Sequence, residues 1–152
     1  MRYLIREKVF TFADRFVIED EAGYPRYEVV GKILSLGNKL SIYDLDGEEL
    51  IYIEEKLFKF LPEYSIYKGS RLIGKIKKEF TFFKPSFNIE SSYGKLTLEG
   101  DVLHHNFNIL KDGTPIAWIS KKWISFSDTY TVDISDLVDH AFILSIVIIL
   151  DQ

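Results

Sequence analysis

Residues 141–150 read Ala-Phe-Ile-Leu-Ser-Ile-Val-Ile-Ile-Leu, with Ser145 the one polar side chain in the run. Ten residues at about 1.5 Å each reach roughly 15 Å as a helix, half of a ~30 Å hydrocarbon core, so the run is too short to span a bilayer. Ile143, Ile146, Val147, Ile148 and Ile149 are β-branched and favour strands. A strand of an antiparallel sheet, however, alternates between a dry face and a wet one, and this run alternates nothing. A helix that is apolar all round is buried all round. Phe142, Ile143, Leu144, Ile146, Val147, Ile148, Ile149 and Leu150 are the expected core of the molecule, each gaining about 1.5–3 kcal/mol on full burial. Upstream, Asp133 or Ser135 is expected as the N-cap, with Asp136 and Asp139 against the helix's positive end.

The preceding chain reads as strands. Gly23, Gly47, Gly69, Gly94 and Gly113 recur every 19 to 25 residues, room for two strands and two turns. Asp46-Gly47 and Asp112-Gly113 are the strongest turn signals, because both residue types tolerate positive φ. A degenerate repeat accompanies the glycines. An apolar residue lies three after Gly47, Gly69 and Gly113 (Leu50, Leu72, Ile116). A lysine lies nine after Gly23, Gly47, Gly69 and Gly113 (Lys32, Lys56, Lys78, Lys122). Strand-like runs fall near Tyr3–Lys8, Arg15–Asp20, Arg26–Ile33, Lys39–Leu45, Glu49–Glu55 and Tyr64–Tyr67. Six more follow near Arg71–Lys78, Phe87–Ser91, Lys95–Leu103, Phe107–Leu110, Thr114–Lys121 and Thr129–Ile134. Pro62 and Pro85 are expected between runs, where a missing N–H does least harm. A sheet of about twelve strands tends to close, which removes exposed edges and leaves a lumen that an apolar helix can fill. The expectation is mainly β: a closed antiparallel barrel around a central C-terminal helix, with residues 1–152 forming one domain.

Composition narrows the function classes. Nineteen Lys and Arg against 23 Asp and Glu give a net charge of −4, which argues against bulk nucleic-acid binding. With no cysteine, disulfides, thiolate catalysis, zinc–thiolate sites and palmitoylation fall away. Met1-Arg-Tyr-Leu-Ile-Arg-Glu-Lys has no apolar h-region, and position two is not glycine. We expect a cytosolic monomer, free or peripheral to a membrane, with no transmembrane span.

Residues 30–48 read Val-Gly-Lys-Ile-Leu-Ser-Leu-Gly-Asn-Lys-Leu-Ser-Ile-Tyr-Asp-Leu-Asp-Gly-Glu. Together with Ile-Tyr pairs ahead of glycines (Ile42-Tyr43 before Gly47, Ile66-Tyr67 before Gly69) and Asp128-Thr-Tyr-Thr-Val-Asp before the apolar run, they resemble the LURP-one-related family of the tubby C-terminal-like superfamily. The resemblance covers essentially the whole chain and implies a twelve-stranded barrel around a central helix. It implies no established activity. Tubby proteins bind phosphatidylinositol bisphosphate through a Lys and an Arg in a Gly-Lys-Leu-Arg strand. Here the similar stretch is Gly31-Lys32-Ile33-Leu34, so Lys32 matches the lysine while Leu34 replaces the arginine and its bidentate phosphate contact. Phospholipid scramblases are also related, but the cysteines that anchor them have no counterpart in a chain without cysteine.

Three constellations remain. Lys75, Lys77, Lys78 and Lys84 surround Phe80, Phe82 and Phe83, and Lys121 and Lys122 precede Trp123. Together with Lys32 these are the candidate contacts to an anionic lipid, although on alternating strands such lysines also serve as solvated exterior. Asp136 and His140, four apart, would share a helix face; with no second histidine at ligand spacing, His140 reads as a hydrogen-bonded residue near the barrel mouth. His104-His105 cannot chelate one ion from a regular strand, because neighbours face opposite ways. Hydrolase, metalloprotease and phosphate-loop motifs are missing, so no catalytic residue, metal or cofactor is expected. The leading expectation is a non-catalytic interaction module for an anionic membrane surface. The alternatives are a small-molecule binder or enzyme with a rim or outer-wall site, and a regulatory domain for a protein partner.

Overall fold

A computed structural model describes residues 1–6, 15–32, 37–56, 60–81, 84–121 and 129–152, with the side chains of residues 80, 81, 84 and 85 outside the described set. The strands are β1 (Arg2–Arg6), β2 (Arg15–Asp20), β3 (Pro25–Lys32), β4 (Lys39–Tyr43), β5 (Glu49–Lys56) and β6 (Glu63–Lys68). They continue as β7 (Arg71–Thr81), β8 (Lys84–Ser91), β9 (Leu96–Asp101), β10 (Asn106–Lys111), β11 (Thr114–Ser120) and β12 (Thr129–Ile134), followed by helix α1 (His140–Leu150). All pairings are antiparallel, in the order β8-β7-β6-β5-β4-β3-β2-β1-β12-β11-β10-β9. The first and last strands join through Tyr3↔Val132 and Ile5↔Tyr130, which curls the meander into a nearly closed barrel. Ladder closure stops at β8 and β9, which are joined by the 92–95 turn but unpaired in the sheet.

Every residue from Ala141 to Leu150 is buried, Ser145 included, so the helix presents no wet face. Ser145 satisfies its hydroxyl by donating to the Phe142 carbonyl at 2.6 Å. Around the helix, alternate strand residues point inward: Val29, Ile42, Ile53, Ile66, Ile76, Ile109 and Val132 are fully buried. Gly74 lies on that inner face, and a Cβ built there would stand 3.2 Å from Cε2 of Phe142. Glycine there lets the helix approach the sheet.

The turn glycines behave as their spacing predicts. Gly23, Gly47, Gly69, Gly94 and Gly113 all have φ between 60° and 125°. Aspartates brace the same turns: Asp20 accepts the N–H groups of Ala22 and Tyr24, and Asp44 those of Asp46 and Glu48. Pro85 departs from expectation. It lies inside β8, paired with Phe80, and is tolerated because β8 is a sheet edge whose outer side has no ladder to break.

Topology gives the barrel two unlike ends. Each odd-numbered strand runs away from the helix start, and each even-numbered strand returns to it. The tight glycine turns therefore collect at the end where α1 begins. The connections from odd to even strands collect where it leaves.

Candidate functional site

At the helix start the N-cap is Asp139, not Asp133 or Ser135. Asp133 is still within β12, opposite Arg2, whose Nη2 lies 3.2 Å from it. Ser135 begins a turn instead, its carbonyl accepting the Val138 N–H. The Asp139 carboxylate accepts the Phe142 N–H at 3.1 Å and a hydrogen bond from Lys68 Nζ at 2.9 Å, tying the end of β6 to the helix. Burial works against ionisation of Asp139, but Lys68 and the N–H groups of Phe142 and Ala141 outweigh it and hold the carboxyl below its ordinary value. The same bond raises the Lys68 ammonium above its ordinary value. Asp136 stands outside the helix and is exposed, so the dipole role expected of it is not filled.

His140 uses both ring nitrogens. Nε2 lies 3.0 Å from the Ser135 carbonyl, which can only accept, so Nε2 carries a proton. Nδ1 lies 2.6 Å from the Tyr3 hydroxyl. Burial, and secondarily Tyr27 beside it, push the Tyr3 hydroxyl above the ordinary phenol range. His140 is thus a hydrogen-bonded residue at the barrel mouth, and Asp136 takes no part in it.

Beside this start, where β8 and β9 leave the seam unpaired, lies a recess of about 130 Å³ lined by Tyr93, Leu96, Lys111, Ile116, Leu137, Val138, Asp139, Phe142 and Ile143. Tyr93 and Phe142 rest ring against ring, with centroids 4.8 Å apart. Leu137 is 94% exposed at its rim.

At the helix exit, residues 102–105 turn between β9 and β10 and send the two histidines apart. His104 stays outside with Nδ1 2.6 Å from Asp101. His105, at φ 52°, turns inward, stacks on Tyr130 at 4.3 Å and places Nε2 2.5 Å from Asp151. Both members of that pair are buried. A carboxylate directly after a helix opposes the macrodipole, and the His105 ring is the partner that offsets it. No group of three His, Cys, Asp or Glu side chains among the described residues is placed to hold a metal ion.

The candidate lysines are distributed rather than gathered. Lys75 and Lys77 lie on the outer face of β7 and are partly covered, with Lys75 Nζ 3.8 Å from buried Glu63. Lys78 has the opposite parity, so it does not share their face. Lys32 is exposed at the end of β3, and at about 4.8 Å per strand it stands roughly 19 Å around the wall from β7. Lys121 is exposed just past β11. Lys122 and Trp123 lie outside the described residues, as do Phe82, Phe83, Leu34 and the side chains of Lys84 and Phe80.

What unites Lys32, Lys56 and Lys78 is height. Each lies nine residues past a turn glycine on an outgoing strand, about 30 Å along at 3.3 Å per residue, and so reaches the helix-exit end. Lys121 reaches it just past the end of β11. Among the described residues, Phe60, in the connection to β6, is exposed there at 101% and Leu103 at 62%. The sequence reading passed over Lys56, Phe60 and Leu103 as contacts, although the glycine-to-lysine spacing is the signal that finds Lys56.

A twelve-stranded antiparallel meander wrapped about a buried C-terminal helix defines the chain as a nearly closed β-barrel filled by its own helix. The LURP-one-related family model matches residues 1–151, and the chain belongs to that family. It is 34% identical over 149 residues to the uncharacterized protein YxjI of Bacillus subtilis (strain 168), covering 97% of this chain and 90% of that one. The X-ray structure of a protein from Arabidopsis thaliana superposes with a TM-score of 0.69 at 18% identity, covering 99% of this chain and 90% of that one. That likeness is one of fold. No helix among the described residues is long and apolar enough to cross a membrane.

Proposed function

We propose that the protein is a non-catalytic interaction module whose helix-exit end docks on an anionic membrane surface. The observation that carries this reading is the delivery of Lys32, Lys56 and Lys121 to one barrel end, the end at which Phe60 and Leu103 are exposed. Acidic groups at this end are in part engaged already: Glu63 faces Lys75, and Asp101 holds His104. A lysine near an anionic bilayer contributes about 1 kcal/mol, so Lys32, Lys56 and Lys121 together contribute about 3 kcal/mol, roughly a hundredfold in affinity. Phe60 and Leu103 add interfacial burial that salt does not screen.

Vesicle co-sedimentation tests it, with phosphatidylcholine alone and with phosphatidylserine added, at low and physiological salt. Binding is expected on the anionic vesicles only and should weaken as salt rises. Lys32→Glu combined with Lys56→Glu should abolish it with the melting temperature retained, and Phe60→Ser should weaken it with the salt dependence unchanged. Binding that ignores lipid charge, or none at low salt, contradicts the proposal.

A further inference from the structure

We propose that the recess at the open seam is a binding site for a small organic anion, a carboxylate carrying one aromatic ring or a branched alkyl group of that size. The site lies at the opposite end of the barrel from the membrane-docking end and does not depend on it. It lies beside the β8–β9 turn, between the helix's first turn and the near ends of β9, β10 and β11. Phe142 and Ile143 form the floor, and Tyr93, Leu96, Ile116 and Val138 the walls. An apolar space of about 150 Å³ is known to stay dry and accept benzene, and this one measures about 130 Å³. It takes a ring and is too small for a long acyl chain.

Charge selects the rest of the ligand. Two charged residues line the recess, Lys111 and Asp139. Asp139 is committed to Lys68 and to the Phe142 N–H. Lys111 makes no ion pair among the described residues, which leaves a cation at the edge of an apolar space whose other charged lining group is already paired with Lys68. A carboxylate seated there meets Lys111 while its ring rests on Phe142 and Tyr93. Leu137, 94% exposed at the rim, is the side chain such a ligand would cover.

The test is a methyl-NMR titration with 3-phenylpropionate and its uncharged amide. Saturable shifts are expected at Ile116, Leu137 and Ile143, with a dissociation constant on the order of 1 mM for so small a ligand. The amide should bind about fivefold more weakly. Lys111→Met, a surface change, should remove that preference while vesicle binding stays as it was. Val138→Phe should fill the recess and abolish the shifts; if it fails to fold, Leu137→Ala, which leaves the core alone, should weaken binding instead. Shifts that do not saturate, shifts centred elsewhere, or equal affinity for acid and amide would overturn the proposal.

Discussion

Replacing Ile146 by Ala removes three carbons from a side chain that is 0% exposed at the middle of α1. At about 0.8 kcal/mol per buried methylene the transfer loss alone is about 2.4 kcal/mol. The cavity adds to this in proportion to how little the surroundings relax, and strands held in ladders on every side relax little. A loss of about 3–4 kcal/mol is expected, within the 2–5 kcal/mol that such truncations cost. Alanine is the better helix former by several tenths of a kcal/mol, so local propensity works the other way and any loss must come from packing. For a domain of this size the melting temperature should fall by about 6–16 °C. Urea unfolding followed by circular dichroism measures it, with the midpoint falling and the slope unchanged. Leu137→Ala, at a position that is 94% exposed, should stay within about 0.5 kcal/mol of the parent. An Ile146→Ala variant that melts within a degree or two of the parent would refute the reasoning, because no packed lumen surrounds a residue that can be cut back so cheaply.

Two further changes probe the ends of the helix. Asp139→Ala removes the N-cap and should cost about 1 kcal/mol near neutral pH. Because the folded carboxyl sits below its ordinary value of 3.8, its contribution is complete above that value and is lost as pH falls through the lower folded one. Parent and variant melting temperatures should therefore draw together as the pH falls below 3.8, and a gap that does not narrow on that descent counts against the cap. At the exit, His105→Ala leaves the buried Asp151 carboxylate without its partner and should cost about 1.5–3 kcal/mol, measurable by the same urea titration. An unchanged midpoint would mean the pair is not formed in solution.

The helix and the turns were legible because each is a local pattern. A run with no polar face can only be interior, and a glycine at regular spacing needs only its own φ to make a turn. The N-cap was misread because Asp133, Ser135 and Asp139 offer the same chemistry within seven residues, and the strand that absorbs Asp133 is fixed by its pairing with β1. Pro85 was placed outside a strand because sequence does not reveal that β8 is an edge. The recess was illegible: Tyr93, Ile116 and Phe142 come from separate elements far apart in sequence and meet only in the folded barrel. The lysines were read as neighbours in sequence, as Lys75, Lys77 and Lys78, whereas the useful relation was their distance from a turn. Lys56 and Lys78 stand at the same height because each lies nine residues beyond a glycine.

The account rests on the helix occupying the lumen, and one nuclear Overhauser measurement reaches that directly. The Phe142 ring lies against Gly74, close enough that a Cβ on the glycine would be 3.2 Å from Cε2. Cross-peaks from the Phe142 ring protons to the Gly74 α protons are predicted. A spectrum in which the assigned Phe142 ring shows contacts only within its own helix, and none to β7, would contradict it.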